Sequence, residues 1–356
     1  MSQKKPIILY SMASAGMGHA TRAVPIIDRM KKDYEVHIFT SRNAKKWLSK
    51  KYENLHQNLA IPGIKWKGKI NITLTSIWAW LNLPRTIFYV LKIFLFIMIK
   101  RPVAVFVDFD IHASFAARLA NKFYKLPIIA CDNFMSIPYS EIPFKLTDDE
   151  KKLCAHWQKN IKMVTGQADY YLVHKHLETK LNHPKAQYVP IPVRDKFLNE
   201  KDNITYDGPI VISIGHLPNN DLIDALKKTP YKYIYFGHKG EYKDGNVEFK
   251  SFDDDVYLEA LKKAPFSIVS GNSSAIDALA LKKPVMHIPN PGMFEQIFCS
   301  KTYEYLGVGG SFSTPTSENI ESFYSNLESM KANIAKLNYF DNEKVYSIIE
   351  GYIKRG

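Results

Sequence analysis

The sequence predicts an α/β fold made of two doubly wound, Rossmann-like domains. Two observations lead to this prediction. Short apolar runs bounded by turn residues alternate with amphipathic stretches, which is typical of strand–helix–strand units and parallel sheets. The pattern lapses near the middle of the 356-residue chain and then starts again, and a chain of this length fits two domains. We therefore expect the two domains to face each other across a cleft.

Nine short apolar runs are predicted to be strands. In the first half they are Ile7–Met12, Tyr34–Thr40, Val103–Val107, Pro127–Ala130 and Tyr170–Val173. In the second half they are Ile210–Ile214, Tyr231–Phe236, Phe266–Val269 and Val285–Ile288. Between the two sets lies the proline-spaced segment Val189–Val193, which we predict to be an extended hinge. The domains are accordingly expected at residues 1–192 and 193–340, followed by a helix over residues 341–356.

The composition is that of a soluble globular chain, with 46% hydrophobic and 23% charged residues. It excludes disorder, a collagen-like fold and a disulfide scaffold. The three cysteines, Cys131, Cys154 and Cys299, are odd in number and form no C-x-x-C motif, which indicates a reducing compartment without a cysteine-based zinc site. The chain begins like a secretory signal, but its apolar run Pro6–Tyr10 is too short for one. We expect a cytoplasmic protein.

All of the excess positive charge lies in the first half of the chain. Residues 1–195 contain 30 Lys and Arg against 14 Asp and Glu (+16), and the remainder contains 18 against 21 (−3), which together make the formal net charge of +13. A positive surface attracts phosphate groups of lipids, nucleic acids or substrates. The chain has no basic tail or aromatic RNA-binding motif, so nucleic acid is not an expected partner. An anionic membrane surface is the expected one.

The first predicted strand ends in a glycine-rich turn that carries Gly16, Gly18, His19 and Arg22 as the chain enters a helix. Glycines allow close approach of a ligand, and the free N–H groups of a helix start favour an anion. A nicotinamide site is disfavoured because the third glycine is missing and no acid follows the second strand. His19 is predicted to be a neutral general base. The alternative is that His19 only orders the loop by hydrogen bonding.

Asp108, Asp110 and His112 follow the third apolar run of the first half. This strand end faces the expected cleft. Asp108 is the second candidate base: it could orient a histidine or take the substrate proton itself. Asp110 could instead cap the helix predicted over Ile111–Phe123.

A second polar turn follows the strand that ends at residue 269. Gly271, Ser273 and Ser274 fall at the predicted helix start, where N–H and hydroxyl donors can hold a diphosphate. Asp277 lies one helical turn further on the same face. A carboxylate at this position can accept hydrogen bonds from both hydroxyls of a ribose.

An acid–amide pair, Glu295 and Gln296, follows the next predicted strand. These side chains suit the several hydroxyls of a sugar. Any single one of the polar residues could be only a helix cap or a first-turn acid. That alternative does not explain why both strand ends carry polar groups together.

These motifs resemble those of GT-B glycosyltransferases, in particular the MurG-like group (glycosyltransferase family 28) and its relatives. Members open with G-x-G-H-x-x-R and close with a glycine–serine–acid helix followed by proline and a Glu-Gln pair. The resemblance covers both halves of the chain and implies the GT-B fold, with a C-terminal helix that returns to the first domain. The matching residues are Gly16, Gly18, His19, Arg22, Gly271, Ser274, Asp277, Pro289, Glu295 and Gln296.

The resemblance also implies roles for further residues of the second half. Arg194 matches an arginine that faces the donor diphosphate. Gly215 and His216 stand where the family's phosphate loop lies. Phe252 and Asp253 match a turn whose backbone contacts uracil.

Three positions depart from the family pattern. Asp277 replaces a glutamate that binds ribose, so its contact is expected to be looser or water-bridged. Val269 stands where many relatives carry a phosphate-binding histidine. Ser213–His216 replaces the G-G-S-x-G loop of MurG.

Ile70–Ile99 is the most apolar part of the chain and carries basic residues within and beside it. A spanning helix needs about 20 apolar residues without charges, and Arg85 and Lys92 interrupt this one. Its aromatic-plus-basic pattern, with Trp78 and Trp80, favours a segment that lies on a membrane surface. The alternative is a long core helix. In the family this region borders the acceptor, which implies an amphiphilic or lipid-linked acceptor, or a glycan.

Together these features predict a glycosyltransferase that transfers a hexose or N-acetylhexosamine from a UDP-linked donor, such as UDP-N-acetylglucosamine. The resemblance implies that the transfer inverts the anomeric centre. No clustered acid motif for a catalytic metal is present, so neither a metal nor another cofactor is expected. One alternative is a nucleotide-sugar epimerase of the same fold. The other is a sugar-nucleotide-binding protein without catalytic activity.

Overall fold

The computed structural model describes residues 4–14, 17–59, 66–67, 69–70, 77, 80–214, 220–237 and 240–355. The chain divides into two compact units. The first comprises Met1–Pro192 together with Asp341–Gly356, and the second comprises Val193–Phe340. Each unit is built on its own seven-stranded sheet.

The first unit alternates strands and helices along most of its length. Its strands are β1 (Ile7–Met12), β2 (Glu35–Thr40), β3 (Leu55–Gln57), β4 (Trp66–Lys67), β5 (Lys69–Ile70), β6 (Ala104–Asp108), β7 (Ile128–Asp132), β8 (Tyr170–His174) and β9 (Ala186–Val189). Its helices are α1 (Gly18–Asp33), α2 (Arg42–Leu48), α3 (Leu83–Lys100), α4 (Ile111–Ala120), α5 (Ser136–Tyr139) and α6 (Asp148–Thr165), with α14 (Asn342–Ile353) from the end of the chain.

The main sheet of the first unit has the strand order β3-β2-β1-β6-β7-β8-β9, and every neighbouring pair is parallel. Ile8 of β1 pairs with Val36 on one side and with Ala104 on the other. Helices on both faces of a parallel sheet bury its strands, which is why β1, β6 and β7 are almost continuously apolar. β4 and β5 form a separate antiparallel pair.

The second unit repeats this plan. Its strands are β10 (Ile210–Ser213), β11 (Tyr233–Phe236), β12 (Tyr242–Asp244), β13 (Val247–Lys250), β14 (Ser267–Val269), β15 (Val285–His287) and β16 (Gly309–Ser311). Its helices are α7 (Asp195–Asn199), α8 (Asn220–Lys227), α9 (Asp254–Lys263), α10 (Asn272–Ala280), α11 (Phe294–Tyr305), α12 (Ser317–Ser325) and α13 (Leu327–Ile334).

The second sheet has the order β12-β13-β11-β10-β14-β15-β16. All its pairs are parallel except the edge pair β12–β13, which is antiparallel. The sheet buries Ile212, Tyr235 and Ile268 in one apolar core with residues of the helices. The predicted α/β fold with two doubly wound domains is confirmed.

The C-terminal helix α14 belongs to the first unit. Val345 and Ile349 are fully buried in the core formed by β1, β2 and α1. Arg29 donates a hydrogen bond to Glu343 over 2.8 Å, and the Tyr346 hydroxyl donates one to Asp33 over 2.9 Å. These contacts attach the end of the chain to α1.

The strands that sequence patterning did not reveal are β3, β9, β12, β13 and β16 together with the small pair β4–β5. Most of the described side chains of β3, β9 and β12 are partly or fully exposed. A short strand at the edge of a sheet has no continuous apolar run, so periodicity does not separate it from a loop. The predicted strands match observed ones, with ends that coincide or differ by one or two residues.

Candidate active site

The strand order of the first sheet reverses between β1 and β6. At this point Met12, the last residue of β1, pairs with Asp108, the last residue of β6. The helices after the two strands leave in opposite directions around the sheet, and ligands of open α/β sheets bind in the crevice that this creates. The residues after these two strands are therefore the candidates for chemistry in the first unit.

His19 and Asp108 form a buried pair at this point. His19 Nδ1 lies 2.6 Å from Asp108 Oδ1, and the two residues are 5% and 3% exposed. When Asp108 is ionised, its carboxylate can only accept a hydrogen bond, and Nδ1 of a neutral His19 ring is the donor. The opposite nitrogen, Nε2, then has a free lone pair, as a general base requires. The two residues that the sequence offered as alternative bases thus act on one another.

Aromatic rings and a strained backbone position surround the pair. The Phe134 ring lies 5.6 Å from the His19 ring and 4.5 Å from the Phe109 ring, measured between centroids. Phe109, which directly follows Asp108, has a φ of 52°. A bulky residue rarely adopts positive φ, and such positions persist where the surrounding structure holds them, often at functional sites.

Asp110 has a structural role. It is the N-cap of α4, where Oδ1 accepts hydrogen bonds from the His112 N–H over 2.8 Å and the Ala113 N–H over 3.4 Å. Its Oδ2 accepts from the Ser11 hydroxyl over 2.6 Å and from the Asn58 amide. The carboxylate is thereby saturated, as the capping interpretation expects.

Arg22 is buried in α1, which begins at Gly18. It faces polar side chains at the ends of β7 and β8. Burial raises the pKa of the Asp132 carboxyl well above its usual range, and the charge of Asp108 adds to that rise, whereas Arg22 opposes it. Burial lowers the pKa of His176 to about 3, and Arg22 adds to that effect. Gly16 lies outside the described residues, and a role of this loop in acceptor or phosphate binding stays a prediction.

The second sheet has an equivalent reversal between β10 and β14, where Ser213 pairs with Val269. Helix α10 follows, with Gly271 as its N-cap. A Cβ added to Gly271 would meet no atom within 4 Å, so there is space beside the helix start. The Ser274 hydroxyl lies 3.0 Å from the Ser213 hydroxyl, and Ser273 is half-buried. Hydroxyls and backbone N–H groups at a helix start form a site for an anion.

Asp277 is 8% exposed and bound to Arg194. Arg194 Nη2 donates to Asp277 Oδ2 over 2.7 Å, and Nη1 donates to Asp254. The resemblance placed Arg194 at a diphosphate, but here its guanidinium joins two carboxylates of the protein. Burial raises the pKa of Asp277 to about 6, and the charge of Arg194 opposes that rise.

The remaining predicted donor residues of the second unit differ in exposure. Phe252 is 54% exposed and packs against the Tyr257 ring, with 5.3 Å between centroids. Asp253 is the N-cap of α9. Glu295 is buried, whereas Gln296 is half-buried and its Oε1 accepts from the Asn290 N–H over 2.8 Å. Gly215 and His216 lie outside the described residues.

Comparison with known proteins decides the family. Residues 6–328 match the family model described as glycosyl transferase family 1. The chain belongs to this glycosyltransferase family. No curated protein matches it.

Solved structures of glycosyltransferases are similar over nearly the whole chain. MurG of Acinetobacter baumannii is 15% identical, covers 98% of this chain and 99% of its own, and has a TM-score of 0.64. Phytolacca americana UGT2, in complex with UDP-2-fluoro-glucose and pterostilbene, is 11% identical over 99% and 100% of the two chains, with a TM-score of 0.67. A UDP-glucosyltransferase from Polygonum tinctorium that glucosylates indoxyl is 12% identical over 99% and 100%, with a TM-score of 0.66. The predicted GT-B glycosyltransferase fold is confirmed.

Helix α3 of this glycosyltransferase presents an apolar face to solvent. Its inner residues Ile93 and Ile97 are fully buried. The core-helix interpretation therefore holds for the inner side of α3 alone. Basic residues, including Arg85 and Lys92, lie exposed along the helix. The exposed apolar residues of α3 are Leu83, Ile87, Phe88, Leu91, Leu95 and Ile99.

Two further aromatic residues, one before α3 and one in contact with it, are also exposed. Trp80 is 74% exposed, and Phe123 is 65% exposed and lies 5.9 Å from the Phe94 ring of α3. Trp78 lies outside the described residues. Within the described part of the chain, no helix is long and apolar enough to span a membrane.

Sequence reasoning missed Asp254 and named Ser213 only as part of a loop that departs from the family pattern. Asp254 binds Arg194, and Ser213 contacts the start of α10. The run Asp253–Asp255 is no distinct signal for the first, because α6 also begins with three acids, at residues 148–150. Among the described residues, no cluster of three His, Cys, Asp or Glu side chains is arranged to hold a metal. Metal-independent transfer stays a prediction.

Proposed function

We propose that this glycosyltransferase moves a hexose or N-acetylhexosamine from a UDP-linked donor to a hydroxyl of an amphiphilic or lipid-linked acceptor, or of a glycan. Family membership supports sugar transfer. The observation that carries the proposal is the His19–Asp108 pair, 2.6 Å apart at the point where the first sheet reverses. Such a pair acts as a general base, which activates a hydroxyl by removing its proton.

The donor would be held by the start of α10. Backbone N–H groups after Gly271 and the hydroxyls of Ser273 and Ser274 suit a diphosphate, and the helix dipole adds to their effect. Asp277 suits the ribose hydroxyls. The exposed ring of Phe252 offers a surface for the uracil.

The sugar and the rest of the nucleotide would use neighbouring polar groups. Glu295 and the amide of Gln296 offer hydrogen bonds to sugar hydroxyls. The backbone near Asp253 and the loop with Gly215 and His216 would complete the contacts to base and phosphates, as the resemblance implies.

The chemistry is a direct displacement. His19 Nε2 removes the proton of the acceptor hydroxyl while its oxygen attacks the anomeric carbon. The bond between that carbon and the donor phosphate breaks, and its electron pair leaves on UDP. One displacement inverts the anomeric centre. The positive helix start stabilises the charge that develops on the diphosphate, so the proposal includes no metal.

The apolar face of α3, with its flanking Arg85 and Lys92, supports attachment to an anionic membrane surface. Its residues are the ones that a lipid-linked acceptor would meet. The three free cysteines agree with the reducing environment on the cytoplasmic side of a membrane. We therefore propose a peripheral enzyme of envelope polysaccharide or glycolipid synthesis.

The test is to incubate the purified protein with UDP-sugars and an amphiphilic alcohol and to follow UDP release and product. We expect release only when the acceptor is present, and a product whose anomeric configuration, read by NMR, is opposite to that of the donor. Conversion of the sugar without UDP release would support the epimerase instead. Tight nucleotide binding without any turnover would support the non-catalytic alternative.

A further inference from the structure

Arg194 occupies an unusual position for a group expected to bind phosphate. Its two terminal nitrogens are both engaged by carboxylates, Nη1 by Asp254 and Nη2 by Asp277. The guanidinium also lies over the Phe197 ring, 4.4 Å from its centroid. Arg194 is 8% exposed. A diphosphate bound to this guanidinium would lie beside two carboxylates of the protein, whose negative charges oppose its own.

The geometry indicates a different use of the same charge. Arg194 donates to Oδ2 of Asp277, and a carboxylate has two oxygens with several acceptor positions. With one oxygen tied to Arg194, the rotation of the Asp277 side chain is restricted. The other oxygen, Oδ1, keeps its capacity to accept hydrogen bonds from a ligand.

We propose that Arg194 is a positioning residue, which holds the Asp277 carboxylate in place as a charged acceptor for the two ribose hydroxyls of the donor. This inference rests on the proposed function, because it assumes that Asp277 binds ribose. Arg194 would then affect nucleotide recognition only through its effect on Asp277.

Asp254 completes the arrangement. It stands at the start of α9 and is bound by both Arg194 and Lys196, the latter over 2.8 Å. Asp254 thereby fixes the second arm of the guanidinium. Lys262, near the end of α9, is likewise bound by two carboxylates, and its replacement serves as the matched control.

Charge explains why Arg194 matters for Asp277. Burial raises the pKa of the Asp277 carboxyl to about 6, and Asp254 adds to that rise, whereas Arg194 and Lys196 oppose it. The buried Tyr257 ring also packs nearby. Without Arg194, the pKa of Asp277 rises further, so that at neutral pH the group is protonated and a weaker acceptor. When the pH is below the pKa of Asp277, its carboxyl is uncharged both in the wild-type protein and in a variant without Arg194.

The experiment compares the binding of UDP and 2′,3′-dideoxy-UDP by calorimetry between pH 5 and pH 8. We expect the wild-type protein to bind UDP about ten-fold or more tightly than the dideoxy form at pH 7.5, with the preference fading below a pH of about 6. In Arg194→Met the preference should largely disappear at pH 7 and return only at higher pH. Arg194→Lys should restore part of it, and Lys262→Met should keep it.

Different outcomes separate this inference from the proposed function. Equal loss of affinity for both nucleotides in Arg194→Met would show a diphosphate contact and overturn the inference, as would an unchanged preference. If Arg194→Met does not fold, the same comparison is made with Arg194→Lys, whose preference must fall below that of the wild-type protein. A preference that survives Asp277→Asn, or no nucleotide binding by the wild-type protein, would instead contradict the proposed donor site.

Discussion

Sugar transfer by the His19→Ala variant is expected to be about 10²–10⁴-fold slower than transfer by the wild-type protein. When Nδ1 donates to Asp108, His19 Nε2 carries the ring lone pair that can take the acceptor proton. In the alanine variant, His19 no longer takes the proton, so the acceptor hydroxyl must attack while it still carries its proton. Initial rates at saturating donor and acceptor measure this effect as a change in kcat.

His37 provides the control for His19→Ala. It is also a buried histidine bound to a carboxylate, with Nε2 lying 2.8 Å from Glu35, but it lies on β2 away from the strand ends. His37→Ala should cost stability and leave kcat unchanged. An equal loss of kcat in both variants would mean that the His19 effect is structural.

Asp108→Asn divides the roles within the pair. An amide can donate a hydrogen bond to His19 Nδ1, which places the ring proton on Nε2 and removes the lone pair needed there. We expect a loss of kcat comparable to that of His19→Ala. If Asp108→Asn were inactive and His19→Ala nearly fully active, Asp108 itself would be the base.

Replacing Phe88 and Leu95 with serine is expected to lower binding to anionic lipid vesicles by about ten-fold or more. Both residues lie on the exposed face of α3, 61% and 55% exposed. Each apolar side chain that enters a lipid interface contributes about 1 kcal/mol or more, and two such losses exceed a factor of ten. Vesicle flotation measures the bound fraction.

The control for this variant is Tyr305→Ser, which removes a similarly exposed side chain (55%) from the second unit. Its vesicle binding should equal that of the wild-type protein. High salt should also weaken binding, because Arg85 and Lys92 contribute screened attraction. If neither high salt nor the two serine substitutions reduce vesicle binding, α3 does not attach the protein to the membrane.

The sequence was sufficient to predict the buried strands of both sheets. Strands such as β1, β6 and β14 lie inside parallel sheets, and their continuous apolar runs are visible in one dimension. Edge strands such as β3 and β12 were missed because their side chains are partly or fully exposed and form no continuous apolar run. The helix-start motifs predicted that His19 and Ser274 follow the ends of strands, and the structure shows both there. Polar and glycine residues at these points interrupt the apolar runs and so are visible in the sequence.

The pairings inside the site could not be predicted from the sequence. His19 and Asp108 are 89 residues apart, and only the parallel pairing of β1 with β6 brings the two strand ends together. Arg194 was expected at a phosphate on the strength of a resemblance. Its bonds to Asp254 and Asp277 depend on how α7, α9 and α10 pack, which no motif records.

The most direct test of donor binding is a crystal structure of the protein soaked with UDP-2-fluoro-glucose or the UDP-sugar that binds best. We predict that the diphosphate lies against the N–H groups after Gly271 and that Asp277 contacts the ribose hydroxyls. A nucleotide bound elsewhere, or no density beside α10 at a concentration that saturates binding in solution, would contradict the account.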